Sequence, residues 1–271
     1  MKEKNIDTKS IGRTFCVGDI HGGYKALVQV LQAVNFDYDN DMLISLGDVT
    51  DGWPEVAESI ELLLKIKHLV FIKGNHDEWT ERFLELTLTT GPADYNYNWY
   101  SQGGEATYNS YFGKPELVEK HMTFLREAKL YHLDDENRLF LHAGFDPTVE
   151  LDNQRFMDVG QKDEGENAIF YWDRHLWRHM VEGFELGEIP IWGKFKEIYI
   201  GHTSTIKKFN HGNPVNIGNV WNMDTGGTYS GRLSLMDIDT KEITQSEYVY
   251  RLYPDDMGRN GVYLAKVEIK Q

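Results

Sequence analysis

Short apolar runs alternate with longer segments of helical periodicity in the first part of this chain. Between the first two runs, Leu27, Val30 and Leu31 fall on one face of a helix. Pro54 begins the next periodic segment, where proline is tolerated because the N–H group that it lacks has no partner in the first turn. Apolar strands that alternate with helices are typical of a largely parallel sheet buried on both faces. The predicted strands are Thr14–Val17, residues 42–46 and residues 69–72, and the predicted helices are residues 24–34 and 54–67.

The apolar runs of the second half follow one another more closely. They are residues 139–141, 198–200, 220–223, 233–237 and 247–252. Because little chain separates the later runs, we expect a second and more antiparallel sheet. The predicted fold class is therefore α/β, with two packed mixed β-sheets flanked by helices.

The chain has no repeat, low-complexity tract or Pro/Ser-rich linker, so we assign residues 1–271 to a single domain. Two insertions separate the predicted core strands, around residues 78–137 and 145–196. The first contains an aromatic stretch at residues 91–113 and a predicted helix around residues 116–129. Since long insertions between core strands are usually functional, we expect both to form part of the substrate site.

Composition narrows the possible partners and compartments. A net charge of −15 repels nucleic-acid polymers, and no basic run offsets it. Cys16 is the single cysteine, which excludes an internal disulfide and favours a reducing compartment. No apolar stretch is long enough to span a bilayer, and the opening MKEKNIDTKS lacks the apolar segment of a signal peptide. We expect a cytoplasmic protein without a membrane or nucleic-acid partner.

Five of the predicted strands end at a cluster of Gly, His, Asp or Asn residues. The clusters are GDIHG at residues 18–22, GDVTD at 47–51, GNHD at 74–77, HAG at 142–144 and GHT at 201–203. Asp19 and His21 lie on the same side of an extended segment, because alternate side chains point the same way. Asp48 has two oxygens and can bridge two ions. Carboxylates, imidazoles and a carboxamide without a thiolate suit two divalent cations that share a carboxylate, so we expect a dinuclear phosphoesterase centre at the strand ends.

The ligand types do not select one metal. Sites of this kind accept manganese, iron, zinc or cobalt, and availability often decides between them. We expect two divalent ions, with manganese first. Bound ions would also supply the local positive charge that an anionic phosphorylated substrate needs in a chain with a net charge of −15.

In this order, the five clusters resemble the motifs of the phosphoprotein phosphatases (PPP) within the calcineurin-like metallophosphoesterase superfamily. The resemblance is strongest to the bacterial branch that also includes dinucleoside tetraphosphate hydrolases. Residues 99–111 are similar to its W-x-x-N/Q-G-G-x-x-T-x-x-S-Y segment, and residues 222–233 are similar to its D-T-G…G-x-L ending. The similarity runs from about Thr14 to about Met236 and implies the calcineurin-like fold.

The resemblance implies a role for each matching residue. One metal ion is expected on Asp19, His21 and Asp48, and the other on Asp48, Asn75, His142 and His202. His76 is implied as the general acid and Asp51 as the residue that orients it, while Asn75 is also expected to contact substrate. Two ions about 3.5–4 Å apart lower the pKa of a bridging water for direct attack on phosphorus. A carboxylate-stabilised imidazolium can protonate the departing oxygen.

The second cluster departs from the pattern that it resembles. Family members usually read G-D-x-V-D-R-G, where the arginine holds the phosphate, whereas this chain has Gly52 and Trp53 at the corresponding positions. Trp172-Asp173-Arg174 resembles an L-W-x-R segment that carries a second phosphate-binding arginine. Arg174 is therefore the expected phosphate clamp, and Arg178 is the next candidate. Loss of one bidentate contact weakens phosphate binding and bears on substrate choice.

Several of these residues also have simpler interpretations. Asp51 could be a turn residue, because Asp-Gly favours turns, and Arg174 could be a surface ion-pair partner. The aromatic residues within 95–100 could pack as a lid or stack on an adenine base. The histidines outside the motifs are expected to be structural: His68, His121, His132, His175, His179 and His211.

Three functions follow from the residues and the resemblance. The first is a phosphomonoesterase of the protein serine/threonine phosphatase type, acting on a phosphorylated protein or a small phosphoester. The second is a dinucleoside polyphosphate hydrolase, favoured by Asp77 where protein phosphatases more often carry Glu. The third is a binding module on an inactive phosphatase fold. Because all six candidate ligands are present together with His76 and Asp51, we expect an active enzyme.

Overall fold

The structure, a computed structural model, describes residues 12–93, 96–155, 168–209 and 212–259. Some of the predictions lie outside the described residues. They concern the opening segment 1–11, Tyr95, His211 and residues 156–167 of the second insertion.

The described residues form two five-stranded sheets with helices around them. The strands are β1 (Thr14–Val17), β2 (Met42–Ser45), β3 (His68–Phe71), β4 (Tyr131–Leu133), β5 (Arg138–Leu141), β6 (Glu197–Ile200), β7 (Val215–Ile217), β8 (Val220–Asn222), β9 (Ser234–Asp237) and β10 (Ile243–Gln245). The helices are α1 (Tyr24–Ala33), α2 (Val56–Leu63), α3 (Asn75–Thr90), α4 (Tyr97–Trp99), α5 (Glu105–Tyr111), α6 (Pro115–Arg126), α7 (Ile169–Trp172), α8 (His175–Glu185), α9 (Ile206–Phe209) and α10 (Val249–Leu252). Irregular helical turns lie at Tyr100–Gly104 and Leu151–Asn153.

The first sheet has the strand order β10-β9-β1-β2-β3. Strands β1, β2 and β3 run parallel, as predicted, with Thr14 opposite Met42 and Met42 opposite His68. Strand β9 pairs antiparallel with β1, so that Cys16 lies opposite Met236, and β10 forms an antiparallel pair with β9. The expectation that residues 233–237 belong to the second sheet is therefore wrong, because this run returns to pair with the first strand.

The second sheet has the strand order β4-β5-β6-β8-β7. Its central strands β5, β6 and β8 are parallel, and only its edge pairs are antiparallel. The prediction of a more antiparallel second sheet is wrong, since α7 and α8 cross over between β5 and β6 and return the chain in the same direction. Residues 247–252 are not a strand either. Here Arg251 N–H donates to Tyr248 O in a helical turn, and Val249 packs into the first core.

The two sheets pack against each other, as the sequence predicts. Cys16, Ile44 and Met236 of the first sheet form one buried cluster with Phe140 and Tyr199 of the second. The rings of Phe140 and Tyr199 stack with centroids 4.7 Å apart. This packing fixes the relative position of the two sets of strand ends that carry the polar clusters.

The predicted helices are found with small shifts at their ends. The segment predicted at 24–34 is α1, which buries Leu27, Val30 and Leu31, and the segment predicted around 116–129 is α6. The segment predicted at 54–67 is the shorter α2. Helix α3 was not predicted, because its mixed sequence lacks a clear apolar stripe. Among the helices that the structure describes, none is long and apolar enough to cross a membrane.

Candidate dinuclear metal site

The six candidate ligands converge at one edge of the two packed sheets. Asp19 and His21 follow β1, Asp48 follows β2, Asn75 begins α3 after β3, His142 follows β5, and His202 follows β6. Five of them are at most 4% exposed, and His202 is partly buried. The carboxyl ends of parallel strands meet at one edge, which explains how positions far apart in sequence come together.

The first set of donors surrounds Asp48 from the side of β1. His21 Nε2 lies 3.5 Å from Asp48 Oδ2 and 4.0 Å from Asp19 Oδ2. Each of the three residues offers a ligand atom within 4.8 Å of the others. These distances leave room for one cation between an imidazole and two carboxylates.

The second set of donors meets Asp48 from the side of the second sheet. His142 Nε2 lies 3.4 Å from the same Asp48 Oδ2. Asn75 Oδ1 lies 3.2 Å from His142 Nε2 and 2.9 Å from His202 Nδ1. Asp48 thus belongs to both sets, which is the shared carboxylate that the sequence predicts.

The hydrogen bonds of the imidazoles fit metal coordination. His142 Nδ1 donates to Leu46 O at 2.7 Å, and His21 Nδ1 contacts Thr50 O at 3.0 Å. With the ring protons held by backbone carbonyls, each Nε2 presents a lone pair toward Asp48. In addition, His202 Nε2 is buried without a hydrogen-bond partner among the described residues. Imidazole lone pairs and carboxylate oxygens repel each other at this distance, and a positive charge between them removes the repulsion.

The excess of negative charge in the cluster also favours bound cations. Burial and the nearby carboxylates of Asp224 and Asp48 raise the pKa of Asp19 well above its ordinary value. Burial opposes charge on His142, but the carboxylates of Asp48 and Asp19 and the carbonyl of Leu46 together outweigh it and raise the pKa of His142 to about 9. The negative cluster therefore favours a bound proton, and a divalent cation would take its place. The donors present fit two divalent ions.

The backbone at the site is held in a rare conformation. His21, Asp48, Asp51 and His202 have φ values of 49°, 50°, 66° and 64°, in the left-handed region that non-glycine residues seldom adopt. Such strain concentrates at functional sites and persists only where the surroundings enforce it. The backbone of Gly74 packs directly against this loop. A Cβ atom at Gly74 would lie 2.1 Å from Asp48 Oδ1, so only glycine fits there.

Asp77 stabilises this strained loop, and sequence reasoning missed its role. Its Oδ2 accepts hydrogen bonds from Asp48 N at 2.8 Å and Gly74 N at 2.9 Å. Its Oδ1 accepts from Val49 N at 3.0 Å and Thr50 N at 3.2 Å. The carboxylate therefore fixes the backbone that presents Asp48. In the sequence, the position of Asp77 within the GNHD cluster is the one feature that points to a role at the site.

His76 and Asp51 form a buried pair beside the metal ligands. His76 Nδ1 lies 2.6 Å from Asp51 Oδ2, and His76 lines the cavity over the site. Burial and the positive charge of Arg259 lower the pKa of His76 to about 3, and burial raises that of Asp51 to about 7. An anionic phosphate in the cavity would raise the pKa of His76 and so favour the imidazolium.

The segment at residues 99–111 supports Asp51. Trp99 Nε1 donates to Asp51 Oδ1 at 3.0 Å, and Thr107 Oγ1 donates to the same oxygen at 2.6 Å. Asp51 N–H in turn donates to Thr107 Oγ1 at 2.9 Å. Trp99 is 1% exposed, so this ring packs rather than presenting a face to a base. Asp51 accepts too many bonds to be only a turn residue.

A cavity of about 530 Å³ opens over the site. Arg174 lies in its wall, where Nη1 donates to Thr203 Oγ1 at 2.8 Å and to His202 O at 3.4 Å. Arg178, one helical turn further on α8, lines the same cavity. Arg174 therefore bonds the backbone of a candidate metal ligand, an arrangement that the surface ion-pair interpretation does not predict.

Comparison with known proteins agrees with this geometry. The model of the calcineurin-like phosphoesterase family matches residues 12–188. Serine/threonine-protein phosphatase 2 of Salmonella typhimurium strain LT2 is 30% identical over 243 residues, covering 86% of this chain and 96% of that protein. An asymmetrical bis(5′-nucleosyl)-tetraphosphatase of Bacillus cereus strain Q1 is 25% identical over 250 residues, covering 84% and 91%.

The fold is shared with a solved phosphatase structure. A protein serine/threonine phosphatase from Saccharomyces cerevisiae superimposes with a TM-score of 0.56 at 13% identity, covering 90% of this chain and 82% of that one. The family match covers well over half of this chain. With the two mixed sheets and the converging ligands, it shows that the chain belongs to the calcineurin-like phosphoesterase family, whose members hydrolyse phosphoester bonds.

Proposed function

We propose that this protein hydrolyses phosphomonoesters and acts on phosphoserine or phosphothreonine in proteins. The observation that carries the proposal is the shared carboxylate of Asp48, which lies 3.5 Å from His21 Nε2 and 3.4 Å from His142 Nε2. Two cations held on either side of one carboxylate are suited to phosphoryl transfer to water. The similarity to a bacterial serine/threonine phosphatase along most of both chains supports this substrate class.

Each candidate ligand has a proposed place. Asp19, His21 and Asp48 would hold one ion, and Asp48, Asn75, His142 and His202 would hold the other. When bound, the ions polarise phosphoryl oxygens and lower the pKa of water. Manganese is proposed for both positions, because the donors are hard or borderline and include no thiolate.

The side chains around the ions would bind phosphate and move a proton. Arg174 in the cavity wall supplies a guanidinium for the phosphate oxygens, and Asn75 and Arg178 are further candidates for substrate contact. The P–O bond to the leaving group breaks as water oxygen attacks phosphorus. The leaving oxygen then needs a proton, and His76 is placed to donate it, while Asp51 holds the other ring nitrogen at 2.6 Å.

The two insertions are proposed to shape the substrate site within one domain. Gln102 of the first insertion lines the cavity, as do Arg174, Trp177 and Arg178 of the second. The packing of both sheets in one buried cluster supports a single domain. A cytoplasmic location stays a prediction that rests on the single cysteine.

A second candidate function is hydrolysis of dinucleoside polyphosphates. The Bacillus cereus relative carries that name, and Trp172 and Tyr229 in the cavity wall offer aromatic surface for a base. The aromatic stretch at 91–113 offers less, because Gln102 is its one described residue in that wall. A base would therefore stack on the second insertion or on Tyr229.

A direct substrate comparison tests the proposal. Steady-state rates would be measured with manganese for a phosphoserine/phosphothreonine peptide, p-nitrophenyl phosphate and diadenosine tetraphosphate, with Asp48→Asn as the control for contaminants. A preference for the phosphopeptide supports a protein phosphatase. A preference for the dinucleotide overturns it in favour of the second candidate. Absence of turnover on all three, with metals bound, contradicts both.

A further inference from the structure

The cavity over the metal ligands carries more positive charge than sequence reasoning predicted. Its cationic lining residues are Arg174, Arg178, Lys208 and Arg259. Lys208 is paired with Glu185. Arg259, by contrast, is half-buried and forms no ion pair with a carboxylate within the described part of the chain. A half-buried guanidinium without a carboxylate partner is suited to an anionic ligand.

Arg259 is connected through Gln102 and Gly103 to Gly52, the position where arginine is expected from the resemblance. Arg259 Nη2 donates to Gln102 Oε1 at 3.2 Å. The neighbouring Gly103 O accepts a hydrogen bond from Gly52 N at 3.1 Å. Gly52 has a φ of 97°, so a side chain at that position would be strained. The segment that carries Arg259 thus brings a guanidinium near Gly52, where the arginine expected from the resemblance is missing.

Trp53 holds that segment in place. Its indole stacks on Tyr253 with centroids 5.4 Å apart and an interplanar angle of 16°. At the other end of the segment, a Cβ atom on Gly258 would lie 2.7 Å from Trp53 Cη2, so the backbone there contacts the ring directly. Tyr253 is fixed in turn, because its hydroxyl donates to Glu55 Oε2 at 2.5 Å and accepts from Lys25 N at 3.0 Å. Arg259 therefore follows a firmly docked turn.

Arg259 shares a cavity with the candidate catalytic groups. His21 and His76 line the same cavity wall as Arg259. Its guanidinium also lies 5.8 Å from the centroid of the Tyr229 ring, at the cavity wall. A phosphate bound over the two donor sets would meet Arg174 from the second insertion and Arg259 from the C-terminal segment.

We propose that Arg259 is a second phosphate-binding arginine, which Trp53 positions by docking the segment 253–259. The inference rests on the proposed phosphoesterase site and adds a substrate-binding residue from outside the region of family resemblance. It also predicts a division of roles, in which Trp53 positions the segment and Arg259 contacts the phosphate oxygens.

A matched pair of variants tests the charge of Arg259 without removing its stem. Arg259→Met and Arg259→Lys both keep an extended side chain against Tyr229, but only lysine keeps the positive charge. Arg251→Met is the control, since Arg251 is exposed, pairs with Glu247 at 3.6 Å and does not line the cavity. The dissociation constant of inorganic phosphate would be measured calorimetrically on the manganese-supplemented proteins, alongside KM for p-nitrophenyl phosphate, metal content and melting temperature.

We expect Arg259→Met to weaken phosphate binding and raise KM by at least about tenfold, with Arg259→Lys in between. Metal content and melting temperature should match the control. Equal phosphate affinity in Arg259→Met and Arg251→Met, or no phosphate binding by the wild-type protein, overturns the assignment. If the wild type binds phosphate but turns over no phosphomonoester, the proposed function fails, and the affinity comparison still decides the role of Arg259.

Discussion

His76 Nδ1 and Asp51 Oδ2 lie 2.6 Å apart in a site where both residues are at most 1% exposed. The contact fixes the imidazole so that its Nε2 is the nitrogen left to meet a substrate in the cavity. Asp51 is itself held by Trp99, Thr107 and Thr80. The pair is therefore held in one geometry by three separate parts of the chain, as its proposed role of proton donor requires.

His76→Asn tests the proton-donor role. We expect kcat to fall by about 10²–10⁴-fold for a substrate with a poor leaving group, such as phenyl phosphate. The loss should be smaller for p-nitrophenyl phosphate, whose leaving oxygen needs less protonation. Metal content should be retained, because His76 is outside both donor sets. Rates that stay unchanged with both substrates would remove His76 as the acid.

Thr107→Val tests the support of Asp51. The hydroxyl of Thr107 both donates to the carboxylate and accepts from the backbone N–H of Asp51. Its removal leaves a buried donor unpaired, so we expect a loss of about 1–3 kcal/mol in the free energy of unfolding and a fall of about tenfold in kcat.

The control for this variant is Thr123→Val, whose exposed hydroxyl donates to Glu119 O in its own helix. Denaturant unfolding and steady-state rates would be compared between the two variants. An equal effect of both on kcat would show that Thr107 does not act through Asp51.

The convergence of the candidate ligands could be predicted from the sequence, because each of them lies at or just after the end of a strand. Asp19, Asp48 and His142 each follow a short buried strand, and the carboxyl ends of parallel strands share one edge. Such positions are readable from an apolar run and the polar cluster after it. The same logic gave the parallel order of the first three strands.

The parts of the fold and the site that the sequence did not predict depend on contacts between residues far apart in sequence. Trp99 and Thr107 reach Asp51 across 48 and 56 positions, and no local pattern specifies their partner. Residues 233–237 pair with β1 in the first sheet and not in the predicted second sheet, because an apolar run does not specify which strand it pairs with. Arg259 carries no motif, and only the docking of its segment on Trp53 brings it to the cavity.

Arg174→Ala tests the proposed phosphate clamp. We expect KM for p-nitrophenyl phosphate to rise by at least about tenfold, since a charge-assisted hydrogen bond to phosphate is lost. Arg178→Ala is the matched comparison, because both side chains line one cavity on neighbouring turns. A larger effect of Arg178→Ala on kcat/KM would show that the clamp has been assigned to the wrong arginine.

Asp77→Asn tests the residue that holds the loop of Asp48. A carboxamide has one acceptor oxygen and places an NH₂ group against backbone N–H donors, so it cannot replace both carboxylate oxygens. We expect manganese affinity to fall by about 10–100-fold and the melting temperature to drop even with chelator present. Calorimetric titration of manganese would measure the first effect. Asp135→Asn, in an exposed turn, should alter neither, and unchanged affinity in Asp77→Asn would contradict its positioning role.

His121 predicts a pH dependence of stability away from the metal site. Burial lowers its pKa, and the neutral ring accepts from Tyr111 O–H at 2.7 Å while its Nε2 donates to Glu61 Oε1 at 2.6 Å. Because the folded pKa lies below the unfolded value of about 6.5, the unfolded state binds the proton first as pH falls. The contribution of His121 to stability is therefore complete above about pH 6.5 and is lost below it.

His121→Gln should reduce the slope of unfolding free energy against pH between about pH 5 and 7. The measurement is urea unfolding with chelator present at several pH values, so that the metal-site histidines contribute equally to every protein. His179→Gln, which changes an exposed histidine, is the control and should keep the wild-type slope. A wild-type slope in His121→Gln would mean that the ring binds its proton equally well in the folded and unfolded states, because a group with equal pKa in both states cannot make stability depend on pH.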